Sequence, residues 1–200
     1  MRKVLLLASA VCFAASTASA FEFNPYLAAR AKYAFARNEI KYTGTFDGKE
    51  KLNDNIWGGS IAAGTTWNLM NGDFRFELEY TKNADAKKDG GKVKTQGVLF
   101  NVYYDFDLQN IPVKPYVSAG LGWGRSEWEG ATRKVKDDSA SAQIGAGASY
   151  QVNENVAFDL GYRYITYGDF DEERRIGLIY EKADYKPRAH EILFGVRYAF

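Results

Sequence analysis

Charged side chains at spacings of two, four and six residues are the groups in this sequence that could do chemistry. Arg75, Glu77 and Glu79 form one such set. The others are Arg30, Lys32, Asp159, Arg163, Glu191 and Arg197. Carboxylates that share a site with cations could act as an acid–base pair, or could relay protons or ions. The same residue types could equally form salt bridges that only fill an interior.

The other groups that usually take part in catalysis are scarce. His190 is the only histidine, and the next residues, Glu191 and Ile192, provide no nucleophile beside this base. Cys12 is the only cysteine, which excludes disulfides and cysteine-ligated zinc. The sequence therefore predicts no catalytic residue, no metal site and no cofactor.

The first twenty residues have the pattern of a cleavable signal peptide. A basic start, Arg2-Lys3, precedes the apolar run 4–15, and Ala18-Ser19-Ala20 fits the small-x-small cleavage pattern. A run of about a dozen residues is too short for a membrane helix, which needs roughly 20. We expect removal of residues 1–20 and one domain over 21–200.

The charge balance argues against nucleic-acid binding. The chain has 26 Lys+Arg and 25 Asp+Glu. Loss of two basic residues with the signal peptide leaves 24 against 25, a net charge of −1. A nucleic-acid-binding domain would carry a basic surplus.

Strands must position the charged groups. Over residues 74–80 apolar and charged side chains alternate strictly, the period of two that marks a strand with two different faces. The same pattern predicts eight strands, at 25–37, 56–68, 73–82, 93–106, 113–125, 139–150, 156–167 and 189–200. Such lengths exceed the five or six residues usual in globular sheets, and they suit tilted membrane strands.

Short and long connections alternate between these strands. The short ones, with turn residues such as Asn71-Gly72, are 69–72, 107–112 and 151–155. The long, charged ones are 38–55, 83–92, 126–138 and 168–188. Short turns on one rim and long loops on the other describe a bacterial outer-membrane barrel with both termini on the turn side.

Alternation alone also fits a soluble barrel of the lipocalin type, so the two faces must be distinguished. Opposite the apolar faces, several strands carry mostly small residues, for example Gly58, Ser60, Ala62 and Gly64. Small residues suit the narrow interior of an eight-stranded barrel, whereas many glycines on a solvent face would weaken the strands. We therefore expect apolar rings to face lipid, and small or charged residues to face inward.

Aromatic residues fall at both ends of the predicted strands. Trp57 and Trp67 are ten residues apart on one face. At roughly 40° of tilt this spacing gives about 25 Å along the membrane normal, the height of an apolar band. Phe35 and Trp123 fall at the long-loop end, and the turn end holds Tyr104, Tyr150, Tyr198 and Phe200. We interpret these residues as two interfacial girdles, with ordinary aromatic sheet packing as the alternative.

With the faces so assigned, the charged residues named first all point into the barrel. They comprise five cations and four anions. Arg30 and Lys32 of the first strand can meet Glu191 of the last, its neighbour in a closed barrel. We expect a salt-bridge network that plugs a lumen too narrow for a water channel. A proton or ion path, or a narrow low-conductance pore, is the alternative.

Two segments carry a family likeness. Residues 114–122, Lys-Pro-Tyr-Val-Ser-Ala-Gly-Leu-Gly, contain a Pro-Tyr-x-x-x-Gly-x-Gly strand, and in 192–200 the residues Phe194, Val196, Tyr198 and Phe200 alternate. Both resemble the small outer-membrane β-barrel family of opacity-type surface antigens and OmpA/OmpX-type barrels. The resemblance implies an eight-stranded antiparallel up-and-down barrel in a Gram-negative outer membrane. It also implies that the last strand is the signal recognised by the barrel-assembly machinery.

The resemblance says little about activity, because the family includes adhesins, structural barrels and complement-resistance factors. We expect a non-enzymatic surface protein, structural or adhesin-like, whose long loops contact a host ligand or lipopolysaccharide. On the second loop Lys87, Lys88, Lys92 and Lys94 could pair with lipopolysaccharide phosphates, and a solvated charge run is the alternative.

The alternative function is a barrel enzyme acting on outer-membrane lipid. A lipid A deacylase would be expected to carry His-x-Ser, and His190 instead precedes Glu191 and Ile192. We expect His190 on the outward face, hydrogen-bonded to headgroups or to Tyr185.

Overall fold

Ten β-strands make up nearly all of the described chain in the computed structural model. The structure describes residues 23–44, 48–69, 71–84, 86–88, 91–108, 111–129, 134–167, 170–176 and 179–200. The strands are β1 (Phe23–Gly44), β2 (Gly48–Leu69), β3 (Gly72–Asn83), β4 (Ala86–Lys88), β5 (Gly91–Phe106), β6 (Val113–Glu129), β7 (Lys134–Gln151), β8 (Val156–Tyr167), β9 (Phe170–Ile176) and β10 (Ile179–Ala199). Among these residues no helix is long and apolar enough to cross a membrane. The signal peptide expected at 1–20 lies outside the described residues.

Eight of the strands close into an antiparallel barrel in the order β1, β2, β3, β5, β6, β7, β8, β10. Strand β1 pairs with β10 from Tyr26 opposite Ala199 to Gly44 opposite Glu181. The first and last barrel strands therefore give each other the hydrogen-bond partners that hydrocarbon cannot supply. The predicted fold is confirmed, and β8 has the predicted bounds.

The pairing register fixes the tilt of the strands. Directly paired residues lead from strand to strand around the barrel, beginning at Trp67 of β2. The path returns to β2 at Trp57, so the stagger around the barrel is ten residues. The positions passed are Phe74, Tyr104, Val117, Ala146, Tyr162, Ile192 and Tyr33. A stagger of this size in an eight-stranded barrel corresponds to a tilt of about 40°. Each residue along a strand then rises by about 2.5 Å along the barrel axis.

At the end opposite the tight turns, four strands continue as one projecting sheet, in the order β2, β1, β10, β9. Strand β1 stays paired with β2 as far as Tyr42 opposite Gly48. Strand β9 adds to β10 through Ile179 opposite Ile176. In the described backbone the pairing of β2 with β3 ends near Gly58, so the sheet rises beyond the closed barrel. Strands β4, β5, β6 and β7 form a second extension.

The prediction of long loops at 38–55, 83–92, 126–138 and 168–188 is therefore wrong in its boundaries, because strands extend into each of these segments. Strand β1 continues to Gly44, β2 begins at Gly48, and β10 begins at Ile179. Antiparallel pairing continues past the apolar band because backbone hydrogen bonds do not need apolar side chains to form. Residues 39–43 still alternate, but their charges take the odd positions that are apolar earlier in β1, and in the rest of these segments charges occur at both odd and even positions. The sequence therefore showed no strand with one continuous apolar face.

Burial alternates along the strands in the sense expected of a membrane barrel. In β3 the side chains of Arg75, Glu77 and Glu79 are buried, while Leu78 and Tyr80 are exposed. The most exposed large apolar residues include Trp123, at 73%, and Leu121, at 70%. A soluble barrel would bury its apolar face, so the lipocalin-type alternative does not apply.

Candidate functional site

Charged residues of the barrel interior form three linked clusters along its axis, and the first lies nearest the projecting sheets. Its centre is Arg163 of β8, whose Nε donates to Glu191 Oε2 at 2.6 Å. Nη1 of the same arginine donates to the two oxygens of Glu79, at 2.8 and 3.1 Å. Lys32 Nζ donates to Glu191 Oε1 at 3.1 Å. Because β8 and β3 lie four strands apart, Arg163 spans the lumen between opposite walls.

The second cluster surrounds Glu77 of β3. Arg30 of β1 binds this carboxylate in bidentate fashion, with Nη1 at 2.9 Å and Nη2 at 2.6 Å. The hydroxyls of Tyr26 and Tyr103 each donate to it at 3.1 Å. Asn101 Nδ2 donates to Glu79 at 2.8 Å and to Glu77 at 3.5 Å, and so links the first two clusters. Glu77 thus has four polar partners and is fully buried, as a buried charge requires.

The third cluster lies toward the tight turns and is built on Arg75. Its Nε and Nη2 donate to Asp105 at 2.5 and 2.8 Å, and its Nη1 lies 3.7 Å from Asp159. The guanidinium carbon lies 4.4 Å from the ring centre of Tyr103 and 5.1 Å from that of Tyr116. This position over two aromatic rings adds a cation–π contact to the ion pairs.

Two further cations complete this end of the interior. Arg197 lies 3.7 Å from Asp159, and its Nη2 donates to Ser149 at 2.8 Å. Lys114 Nζ donates to Asp73 at 2.9 Å, at the partly exposed rim. These contacts extend the network to the mouth of the barrel on the turn side.

The described interior is electrically balanced. Its six cations are Arg30, Lys32, Arg75, Lys114, Arg163 and Arg197, and its six anions are Asp73, Glu77, Glu79, Asp105, Asp159 and Glu191. A cavity of about 20 Å³ lies among Arg30, Tyr103 and Asp159. One water needs about 10–15 Å³, so this part of the lumen has room for about one water molecule. Balanced signs and so little space favour a filled interior over an ion path.

The structure places all nine predicted interior charges inside the barrel, but it pairs them differently in one case. Lys32 does meet Glu191, as expected. The expected contact between Arg30 and Glu191 is wrong, because Arg30 reaches across the lumen to Glu77. The network also includes Asp73, Asn101, Asp105 and Lys114, which sequence analysis missed. The same parity would have found them, since Asn101 and Asp105 share the inward face of β5 with Tyr103.

The aromatic residues assigned to girdles all point away from the interior. Phe35, Trp57, Trp67, Trp123, Tyr150, Tyr198 and Phe200 are exposed, and Tyr104 is half-buried. Near one end Tyr33 contacts Phe35 and Trp57, with ring centres 4.8 and 4.7 Å apart. At the other end Tyr104 contacts Phe74 at 5.0 Å. At both ends of the barrel, therefore, aromatic rings that face outward also pack against one another.

His190 lies on the outward face of β10, where its ring contacts residues of β8. Among the described contacts of this ring there is no serine, threonine or cysteine that could act as a nucleophile. Its Nδ1 is 2.5 Å from the hydroxyl of Tyr162, and its ring centre is 5.1 Å from that of Tyr164. The hydrogen-bond partner of the ring is thus Tyr162, and the side chain of Tyr185, the expected partner, lies outside the described residues. No group of three or more potential metal ligands occurs within the described part of the chain.

Tyr116, in the segment with the family likeness, fits against glycines of the two neighbouring inward faces. A Cβ atom at Gly147 or Gly161 would collide with its phenol group. Tyr26 occupies the corresponding place against Gly64. Glycine is needed at these positions because a large ring crosses directly over the backbone.

The last strand presents Phe194, Val196 and Tyr198 outward, followed by Phe200. The backbone N–H of Phe200 donates to Pro25 O at 3.1 Å. The chain end is therefore bound to the start of β1, and the alternating residues form an apolar stripe along the seam between first and last strands.

The comparison with known proteins agrees with this architecture. A family profile described as "Outer membrane protein beta-barrel domain" matches residues 4–200. Outer membrane protein PagN of Salmonella typhimurium is 26% identical over 177 residues, which cover 72% of this chain and 73% of PagN.

Two solved structures have the same fold. Neisserial surface protein A superposes with a TM-score of 0.56 and 24% identity, covering 87% of this chain and 97% of the other. Ail, the attachment invasion locus protein of Yersinia pestis, superposes with a TM-score of 0.50 and 17% identity, covering 88% of this chain and 99% of Ail. Its structure was solved in complex with the heparin analogue sucrose octasulfate. The chain belongs to the outer membrane protein beta-barrel domain family and is a β-barrel of the Gram-negative outer membrane.

Proposed function

We propose that the protein is a non-enzymatic, adhesin-like surface protein, and that its projecting sheet contacts host factors or lipopolysaccharide. The observation that carries the proposal is the four-stranded extension of β2, β1, β10 and β9. Pairing of β1 with β10 continues nine residues beyond Phe35 opposite His190, to Gly44 opposite Glu181. At the tilt of the barrel this extension rises about 20 Å above the outer aromatic girdle. A paired sheet presents a binding surface at less entropic cost than a mobile loop.

The filled interior supports an external site of action. Its carboxylates are occupied by cations, and the cavity of about 20 Å³ is too small for a substrate. The surface available to large partners is therefore the end that projects from the cell. We also propose that the mature protein begins at Phe21 and that the last strand, through Phe194, Val196, Tyr198 and Phe200, is recognised by the barrel-assembly machinery.

The test of the projecting sheet is an adhesion assay with a non-adherent bacterial strain that expresses the protein. Residues 171–184 are replaced by Asn-Gly, which removes the β9–β10 hairpin above its base and joins Phe170 to Tyr185, the pair in the native register that forms this base. We expect binding to cultured host cells to fall to the level of the strain without the protein. The matched control replaces residues 128–135 by Asn-Gly in the β6–β7 hairpin of the other extension, which joins Glu127 to Lys136, a pair in the native register. Equal binding by wild type and the 171–184 variant, at equal surface expression, refutes the proposal.

A second candidate contact is a polyanion, and the small β4–β5 hairpin favours it. Its backbone register places Lys87 opposite Lys92, with Lys88 beside them. Clustered cations attract sulfate or phosphate groups, and Ail, which has the same fold, was solved with a sulfated heparin analogue. Replacing Lys87, Lys88 and Lys92 by Gln is expected to weaken the binding of a sulfated or phosphorylated polyanion to the protein at low salt.

The two polyanion sources are separated by two probes, a heparin fragment and purified lipopolysaccharide. A control variant carries Gln at Lys134 and Lys136 of β7, which belong to neither proposed contact. If the triple variant binds both probes as tightly as the control does, the hairpin is not the site.

A further inference from the structure

The outer wall of the barrel is indented where β1 and β2 carry small residues. The groove has a volume of about 490 Å³, within the range of roughly 300–1,000 Å³ typical of small-molecule sites. Its lining includes Ala29, Ala31, Gly59, Ile61, Tyr80 and Phe194. Ala31 lies directly opposite Gly59 in the register, so the floor is formed by two of the smallest side chains.

The groove lies at the depth of lipid acyl chains. Ala29 is six residues below Phe35 on β1, a descent of about 15 Å along the barrel axis. One leaflet of the hydrocarbon core is also about 15 Å deep. Any occupant of the groove must therefore be apolar there and must enter from the outer leaflet or the bilayer interior.

A cation and a tryptophan stand at the outer end of the groove. Lys82 of β3 is the cross-strand partner of Gly59 and is exposed on the outward face. Trp57, two residues further out than Gly59 on β2, is 65% exposed. Beside them the hydroxyl of Tyr80, which lines the groove, donates to Gln96 at 3.0 Å. A lysine on a lipid-facing wall costs least near the interface, where its long stem carries the ammonium group toward the headgroups.

From this arrangement we propose that the groove binds one acyl chain of a phosphorylated outer-leaflet lipid, and that Lys82 pairs with the phosphate of that lipid. The chemistry fits lipid A, which combines acyl chains with phosphate. In hydrocarbon the groove gains no hydrophobic driving force, because lipid tails surround every outward residue. The shape of the groove therefore determines where an acyl chain lies, and the charge-assisted hydrogen bond from Lys82 determines which lipid is bound. The proposal depends on the outer-membrane location and is independent of the contacts proposed for the extracellular sheet.

The test is lipid A retention by the full barrel in detergent micelles, measured as bound lipid per folded barrel by native mass spectrometry and as an affinity by titration. Ala31→Phe fills the groove. Its control, Ala119→Phe, adds the same ring at an exposed outward alanine of β6, four strands away on the opposite wall. Heat-modifiable gel mobility shows that each variant is folded.

The wild type and Ala119→Phe are expected to retain one lipid A molecule, and Ala31→Phe is expected to bind at least about tenfold more weakly. Lys82→Gln is expected to lose about tenfold, and Lys82→Arg to restore the affinity, because a hydrogen bond to a charged group is at stake. Dephosphorylated lipid A should bind the wild type as weakly as lipid A binds Lys82→Gln. Equal retention by Ala31→Phe and Ala119→Phe overturns the proposal. So does a wild-type dimer that Ala31→Phe converts to monomer, because the occupant would then be a second copy of the chain.

Discussion

Replacing Arg163 with methionine should destabilise the barrel far more than the same change at an exposed arginine. Arg163 donates three hydrogen bonds to Glu79 and Glu191, and both carboxylates are 0% exposed. Arg163→Met keeps most of the side-chain volume and leaves Glu79 with Asn101, and Glu191 with Lys32 alone. Removing one partner of a buried ion pair costs about 3–5 kcal/mol, so we expect a loss of that size in unfolding free energy.

The measurement is urea unfolding of the refolded protein in phospholipid vesicles, followed by tryptophan fluorescence. The matched control is Arg125→Met. Arg125 also binds a carboxylate through two atoms, Asp138 at 2.6 and 2.9 Å, but both side chains are exposed. Water and salt screen such a pair, so we expect no measurable change there.

A double variant separates the lost ion pair from a general packing defect. Arg163→Met combined with Glu79→Gln removes the carboxylate that the first change leaves without its arginine. We expect the double variant to be about 1–3 kcal/mol more stable than the sum of the two single effects predicts. If Arg163→Met and Arg125→Met unfold at the same urea concentration, the buried network does not stabilise the fold as argued.

Three further outcomes follow from the arrangement of the barrel. Gly147→Val should destabilise it by about 1–3 kcal/mol through a clash with Tyr116, whereas Ala146→Val, facing lipid, should not, as urea titrations will test. Ile144→Arg, on the outward face, should cost about 2–4 kcal/mol, and Ala140→Arg, opposite Trp123 nearer the end of the same strand, about 0–1 kcal/mol; equal effects would contradict the proposal that Trp123 marks the outer interface. In planar bilayers the pure protein should show no sustained unitary conductance, because ion pairs span the described interior and the cavity among Arg30, Tyr103 and Asp159 is only about 20 Å³; reproducible steps would disprove the filled lumen.

The barrel and its orientation could be predicted from sequence because both depend on side-chain parity. Successive residues of a strand face opposite sides, so Arg75, Glu77 and Glu79 had to share the face opposite Phe74 and Phe76. Strand β8 is bounded by clear turn residues, and its predicted bounds are those observed.

Pairing across the lumen could not be predicted in the same way. Parity states which side chains point inward, but the depth at which two of them meet depends on the stagger of all eight strands. Arg30 meets Glu77 rather than Glu191 because its long side chain crosses the interior to β3. The projecting sheet was missed for a different reason. In β1 beyond Arg37 the charged residues Glu39 and Lys41 take the odd positions that carry Tyr33 and Phe35 earlier in the strand, and in β10 before Arg188 charges occur at both odd and even positions, so no continuous apolar face marks these segments as strands.

The pairing of β1 with β10 has a consequence for how the protein folds. Lys32 and Glu191, joined across this seam, are separated by 159 positions in the chain. Contact order is therefore high, and the native structure cannot form progressively as the ribosome releases the chain. The polypeptide must remain unfolded, with its lipid-facing rings exposed to water, until its last twenty or so residues arrive. Until β10 pairs with β1, these exposed rings favour aggregation of the chain.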